Sequence, residues 1–142
     1  MTASERKRLI GSYWDLPVEV QQATARFLVG SKLSDIIESA AHQVVEYDIG
    51  YHRNGKFYNL VFDGTNGKML GGNEHVVIQE VLKALPAGGR DAVNKGGASI
   101  RKLKIKHDDQ DDREYIHVEY LDKTGLITNY KLEMDGRVRA RR

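Results

Sequence analysis

Apolar residues recur along this chain with two periods, and the points where the period changes mark its elements. In "DLPVEVQQATARFLVG", Val20, Ala23, Phe27 and Leu28 stand at i, i+3, i+7 and i+8, the stripe of an amphipathic helix. Pro17 restricts Leu16 to an extended backbone and suits the first helical position, Glu19 favours the first-turn dipole, and Gly30 is a natural stop. Further on the period falls to two. "EYDIGYH" sets Tyr47, Ile49 and Tyr51 on one face, and "KFYNLVFDG" aligns Tyr58, Leu60 and Phe62. "IRKLKIKH" turns Leu103 and Ile105 inward and Lys102, Lys104 and Lys106 outward. "YIHVEY" aligns Ile116, Val118 and Tyr120, and "NYKLEMDG" aligns Tyr130, Leu132 and Met134. Such alternation predicts antiparallel strands with one covered and one wet face. "RNGK", "GTNGK" and "DKTG" supply the hairpin turns between them.

The pattern occurs twice. Pro17 and Pro86, each after a leucine, stand 69 residues apart, as do Tyr51 and Tyr120. Gly55 and Gly125 are 70 apart; Tyr58 and Tyr130, Asp63 and Asp135, and Gly64 and Gly136 are 72 apart. The offset grows in turns, where insertions are cheapest. Ordered landmarks at a drifting offset are the mark of an internal duplication. The second helix, in "LPAGGRDAVNKGG", keeps Ala92 and Val93 on its stripe but has Gly96 and Gly97 for Phe27 and Leu28, and adds Gly88 and Gly89. Interior glycines cost about 1 kcal/mol each relative to alanine, so this helix is expected to be shorter and looser. Before it, "EHVVIQEVLKAL" has helically spaced Val77, Val81 and Leu85, but the repeat register favours a strand at "HVVIQ".

The expected fold is therefore α+β: two tandem helix-plus-antiparallel-strands repeats forming one continuous 7–8-stranded antiparallel sheet, with both helices on one face. The expected divisions are an N-terminal tail over 1–14, repeats over 15–74 and 75–138 sharing one core, and a basic tail over 139–142.

Composition narrows the chemistry. The 142 residues include no cysteine, which excludes disulfides, thiolate nucleophiles and Cys-bearing zinc sites. Twenty-two basic against twenty acidic residues leave a net charge of +2, which disfavours bulk nucleic-acid binding despite the basic "RVRARR". No apolar run of signal-peptide length follows the N-terminal charges, and none reaches the roughly 20 residues that cross a bilayer. The expectation is a cytosolic protein or a mature or trimmed form of an exported one.

The residues "LPVEV" opening a helix, "VEYDIGYHRNGKFYNLVFDGTNGKML", then "LPAGG" and "YIHVEYLDKTGLITNYKLEMDGRV", carry a resemblance to the PepSY-like family. In duplicated form the pattern resembles the β-lactamase-inhibitor protein architecture, over roughly residues 15 to 138. The resemblance implies a periplasmic or secreted, non-catalytic module that binds or inhibits other proteins such as peptidases or envelope enzymes. Two features depart from the pattern: the glycine-rich second helix and the short turn at Asp135-Gly136-Arg137. No inhibitory residue carries over.

Residue chemistry points to binding rather than catalysis. "KHDDQDDREYIH" offers Asp108, Gln110 and Asp112 at alternate positions, but lacks the glycine and terminal glutamate of a calcium loop, so a solvated hairpin turn is expected. "DGTNG" from Asp63 to Gly67 reads likewise as a tight turn. His42, His52, His75, His107 and His117 include no zinc-like helical pair. There is no Gly-x-Ser-x-Gly elbow, phosphate loop or dinucleotide fingerprint, and no pocket that would split the pKa values of Asp111 and Asp112. "HQVVEY" differs from the Gln-x-Val-x-Gly segment of cystatins because Tyr47 replaces the glycine. Trp14 reads as a packing anchor ahead of the first helix.

That leaves the wet sheet face. By alternation it carries Glu46, Asp48 and His52, with Asn59 and Val61 nearby, and then Lys102, Lys104, Lys106, Tyr115, His117, Glu119, Lys131 and Glu133. Mixed charge there could be cross-strand pairing for solubility, but tyrosine amid charge also suits a protein interface. The residues expected to contact a protein or peptide partner are Asp48, His52, Lys104, Tyr115, His117, Glu119 and Lys131. No cofactor, metal or catalytic residue is expected, and the chain is expected to be a monomer or weak dimer. The alternative is a nucleic-acid or anionic-surface binder using "ERKR", "RKLKIK" and "RVRARR".

Overall fold

Leu16 and Leu85, the leucines that precede the two prolines, are both buried, at 4% and 2% exposure. Each anchors the start of a helix whose N-cap is the proline, with near-identical backbone angles at Pro17 (φ −54°, ψ 146°) and Pro86 (φ −56°, ψ 152°). The computed structural model describes residues 6–41, 44–96 and 99–139. His42, Gly97 and the end of the basic tail, 140–142, lie outside the described residues, as do the start of "ERKR" and the first two residues of "HQVVEY".

Three helices and eight strands are described: β1 (Arg6–Leu9), a 3-10 turn (Tyr13–Asp15), α1 (Val18–Leu28), β2 (Lys32–Ala41), β3 (Val44–Arg53), β4 (Lys56–Asp63), β5 (Met69–Gly72), α2 (His75–Ala84), α3 (Ala87–Asn94), β6 (Ser99–Asp108), β7 (Arg113–Leu121) and β8 (Ile127–Glu133). The strands form an eight-stranded antiparallel sheet in chain order, from β1 to β8. The fold is α+β, as the alternation of periods predicts. The chain divides into two compact units, Met1–Leu70 and Gly71–Arg142.

In the first unit, α1 buries Val20, Thr24 and Phe27. The matching sheet residues Ile36, Ile49, Tyr51, Leu60 and Phe62 are all within 2% of complete burial. Each such side chain contributes roughly 1.5–3 kcal/mol on leaving water. Thr24 is the buried polar exception, and its hydroxyl is satisfied by the Gln21 carbonyl at 3.1 Å and the Tyr13 hydroxyl at 3.1 Å. In the second unit Val77, Val81, Val93, Leu103, Ile105, Ile116 and Val118 are buried to the same degree. The period-two reading therefore places the core faces correctly, with Leu103 and Ile105 inward. Tyr130 is an exception: it is 48% exposed, because β8 ends the sheet and no further strand flanks it among the described residues.

The internal repeat is visible in the geometry, with its register corrected. Tyr51 pairs with Tyr58 across β3 and β4, whereas Tyr120 pairs with Thr128 across β7 and β8. Tyr58 thus corresponds to Thr128, 70 residues on, and not to Tyr130. The extra residue lies in the second hairpin: Asn54-Gly55 closes the first, while Asp122 to Leu126 closes the second. The next turn removes it. Asp63 N–H bonds to the Lys68 carbonyl in one unit and Glu133 N–H to the Arg137 carbonyl in the other. The offset returns to 69, and Gly67, not Gly64, matches Gly136. Both glycines have positive φ, 71° and 98°, and both lie over the carbonyl of the second helical residue, Glu19 or Gly88.

"HVVIQ" is helical, contrary to the strand expected from the register. Val77, Ile78, Val81 and Leu82 make one buried stripe of α2, which packs against β6. A ten-residue stripe of helical period, with Lys83 in the last turn, outweighs the local β-propensity of two valines and an isoleucine. The counterpart segment of the first unit, 69 residues earlier, is the strand β1, so the duplication breaks here. The glycine-rich α3 is shorter than α1, 8 residues against 11.

Candidate binding surface

Lys104, His117 and Lys131 lie directly opposite one another across β6, β7 and β8. One row away Lys106, Tyr115 and Glu133 are aligned, and on the other side Lys102, Glu119 and Asn129. The strand period of two puts all nine on the face opposite Leu103, Ile105, Ile116 and Val118. A register shift between Ile100 and Lys102 adds Arg101, whose guanidinium meets Glu119 at 2.6 Å. Five of the seven residues singled out from the sequence, Lys104, Tyr115, His117, Glu119 and Lys131, are thereby brought together within the second unit.

The electrostatics of this surface follow from its cations. Burial and the charges of Lys106 and Lys102 hold the His117 pKa below its ordinary value, which favours the uncharged ring. Its Nε2 lies 3.2 Å from Asn129 Oδ1, which a neutral ring satisfies by donating. The Tyr115 ring is covered by the Arg139 guanidinium at 4.4 Å, with the Lys131 ammonium 5.9 Å away. Burial raises the Tyr115 pKa, Arg139 opposes that shift, and Asp108 adds to it.

Asp48 and His52 belong to the first unit, on the outward face of β3 with Gly50 between them. Asp48 Oδ1 accepts from the Asn59 amide at 3.2 Å, and the exposed His52 ring meets Phe57 edge-on at 5.1 Å. Val61, expected to be wet, is buried at 3% exposure, so the outward face is not open along its whole length.

The acidic segment after β6 is a hairpin turn, Asp109 to Asp112, joining Asp108 to its partner Arg113. Its carboxylates are matched by cations. His107 bonds Asp112 through Nε2 at 2.7 Å and Asp109 through Nδ1 at 3.2 Å, and these bonds raise its pKa, Asp112 most strongly. Arg139, only 8% exposed, sends Nη2 to both Asp108 and Asp111, while Arg113 bonds Asp111 at 3.0 Å. Among the described residues no cluster of three or more His, Asp or Glu side chains is arranged to hold a metal ion.

Sequence reasoning missed two features. A groove of about 730 Å³ lies at α3 of the second unit, lined by Ala92, Gly96, Tyr120, Tyr130 and Leu132 among others. Its signal was the glycine content of α3, read only as a weak helix. At Gly96 a Cβ would strike the Tyr120 ring, whose hydroxyl donates to the Val93 carbonyl at 2.6 Å. The second feature is Trp14. It is 76% exposed and so is not packed as an anchor; within the same stretch the buried side chain is Leu16, at 4%.

The chain matches no known family model. No curated protein sequence matches it either. Solved structures share its fold. A protein of the DUF2874 family from Bacteroides vulgatus, described as periplasmic, superposes with a TM-score of 0.60 at 18% identity, covering 94% of each chain. A second protein from that organism, described as periplasmic and of unknown function, gives 0.57 at 16% identity over 95% of this chain and 98% of its own. A third, from Bacteroides thetaiotaomicron and described as calcium-regulated and periplasmic, gives 0.52 at 14% identity over 94% of each chain. At these identities the likeness establishes the fold. Among the described residues no helix is long and apolar enough to cross a membrane.

Proposed function

We propose that this protein is a non-catalytic, protein-binding module of the periplasm or secreted space, acting through the outward face of β6, β7 and β8. The observation that carries the reading is the row Lys104–His117–Lys131, flanked by Tyr115 under its cationic cover. A basic sheet face with a partly buried tyrosine and a histidine inclined to its uncharged form offers hydrogen bonds and charge to a partner, without an enclosed nucleophile and base among its described residues. The periplasmic description of structural neighbours and the PepSY-like resemblance support the compartment. Inhibition of a peptidase or envelope enzyme by occlusion is the role this reading favours.

Calcium control, which one neighbour's description names, is not part of the reading. In this chain Arg139 already holds the position between Asp108 and Asp111 that a cation would need. The experiment is a pull-down from envelope extract with the wild-type chain and a Lys104→Glu/Lys131→Glu variant. A protein retained by the first and lost by the second is expected; equal recovery, or none, overturns the proposal. The same basic rows also motivate the anionic-polymer alternative. Binding to duplex DNA with a log affinity falling steeply against log salt would favour it, since several phosphate contacts release that many counterions.

A further inference from the structure

We infer that Trp14 is the anchor of a second protein-docking surface, in the first unit, which fits an apolar pocket rimmed by lysine or arginine on its partner. The inference does not rest on the sheet-face reading above, which concerns the second unit. Trp14 is the chain's only tryptophan, and it is 76% exposed on a turn that is held at every end. Ser12 Oγ caps the Trp14 N–H at 3.2 Å. The Gln21 amide donates to the Trp14 carbonyl at 3.2 Å and to the Leu16 carbonyl at 2.9 Å. The Tyr13 hydroxyl donates to the Gln21 carbonyl at 2.5 Å, and its ring props the indole edge-on at 5.2 Å.

A loose loop with an exposed indole would order itself only on binding, at an entropic cost. Here the backbone beneath the indole is fixed by α1 in advance, which removes most of that cost. Tryptophan is the residue most enriched among interface hot spots. Val18, four residues on, is a second exposed apolar side chain of this segment, at 59%.

Charge complementarity selects the occupant. Between Arg8 and Arg26 the only charged residues are Asp15 and Glu19, both exposed and both close to Trp14 in sequence. A segment that exposes an indole and two carboxylates is matched by an apolar pocket with a basic rim and is repelled by anionic lipid.

The test uses a displayed random-peptide library selected against the folded wild-type chain, with the tryptophan emission as a second readout. Expected are peptides pairing a bulky apolar residue with lysine or arginine. They should blue-shift the Trp14 emission and bind about 30-fold more weakly to Trp14→Ala, the loss of a typical hot spot. Asp15→Lys/Glu19→Lys should weaken them too, with full circular-dichroism signal retained in both variants. Peptides that bind Trp14→Ala as well as wild type, or an enriched pool that is acidic, or no enrichment, overturns the inference. So does a blue shift with phosphatidylglycerol vesicles and none with peptide. Loss of binding in Lys131→Glu but not in Trp14→Ala would support the sheet face and reject this surface.

Discussion

Gly67 passes so close to the first turn of α1 that a Cβ on it would lie 2.7 Å from the carbonyl oxygen of Glu19. Its φ of 71° is also one that side chains resist. Strain and overlap act together, so Gly67→Ala is predicted to destabilise the protein by about 2 kcal/mol. Gly11→Ala, with nothing within 4 Å of the added carbon, is predicted to be close to neutral. Chemical denaturation of the pair measures the difference, and equal midpoints would refute it.

Tyr47 donates to Glu38 Oε2 at 2.7 Å, and Glu38 also pairs with Arg8 at 3.1 Å. Burial first, and then the Glu38 bond, push the Tyr47 phenol up to about 12. Tyr47→Phe should cost about 1 kcal/mol at neutral pH, the net worth of one hydrogen bond. The raised pKa means the folded state keeps its proton while the unfolded phenol loses it near 10. The wild-type advantage over Tyr47→Phe is therefore predicted to shrink as pH rises from 10 towards 12, as alkaline denaturation would record. The carboxylate side has the opposite sign. Glu38 is held below its ordinary pKa chiefly by Tyr47, so its contribution is present above about 4.5 and fades as pH falls.

His107 gives a prediction near physiological pH. Its bonds to Asp112 and Asp109 favour the charged ring, so the folded pKa lies above the ordinary 6.5. The stabilisation is then complete below that ordinary value and disappears as pH rises through the folded one. His107→Gln should lose a few tenths of a kcal/mol at pH 5.5, because the ion pairs are exposed, and less at pH 8.5. Proton NMR titration of the histidines should place His107 above His117, whose shift is downward. The reverse order would count against both assignments.

Arg139 is predicted to be the most sensitive charged side chain of the second unit. Its backbone N–H bonds the Lys131 carbonyl at 2.8 Å, and its guanidinium joins Asp108 and Asp111 while covering Tyr115. Arg139→Ala should cost about 1.5–3 kcal/mol, the range for hydrogen bonds to charged groups, by leaving the carboxylates poorly matched. Arg137→Ala, whose exposed bond to Asp135 is local, should cost well under 1 kcal/mol. Thermal melts of the two variants make the comparison.

The faces of the strands were legible because burial on one side of a sheet imposes a period of two that few other structures share. Tyr47, Ile49, Leu60, Phe62, Leu103 and Val118 are all where alternation puts them. For α2 the repeat register and the helical spacing of Val77, Val81 and Leu85 point to different elements, and the buried stripe decides for the helix. The late landmarks of the repeat were matched on residue type, aspartate with aspartate and tyrosine with tyrosine, when hydrogen-bonded pairing runs through Thr128 and Glu133. The binding surface was half legible. Alternation gathers Lys104, His117 and Lys131, but Arg139 over Tyr115 is a contact of |i−j| 24 that no local pattern encodes. Trp14 lies in a three-residue 3-10 turn that buries none of its side chains, and no periodicity over so short an element marks an inward face.

The substitution at position 96 has one more effect. Without a side chain there, the Tyr120 phenol reaches the Val93 carbonyl, whereas in the first unit the end of α1 is held by Arg53, which donates to the Phe27 carbonyl and to Ser31 Oγ at 3.0 Å. One copy ties its helix end down with a phenol that burial keeps protonated to higher pH, the other with a guanidinium shared between a carbonyl and a hydroxyl. The two units thus reach the same end, a tethered helix terminus, through unrelated side chains.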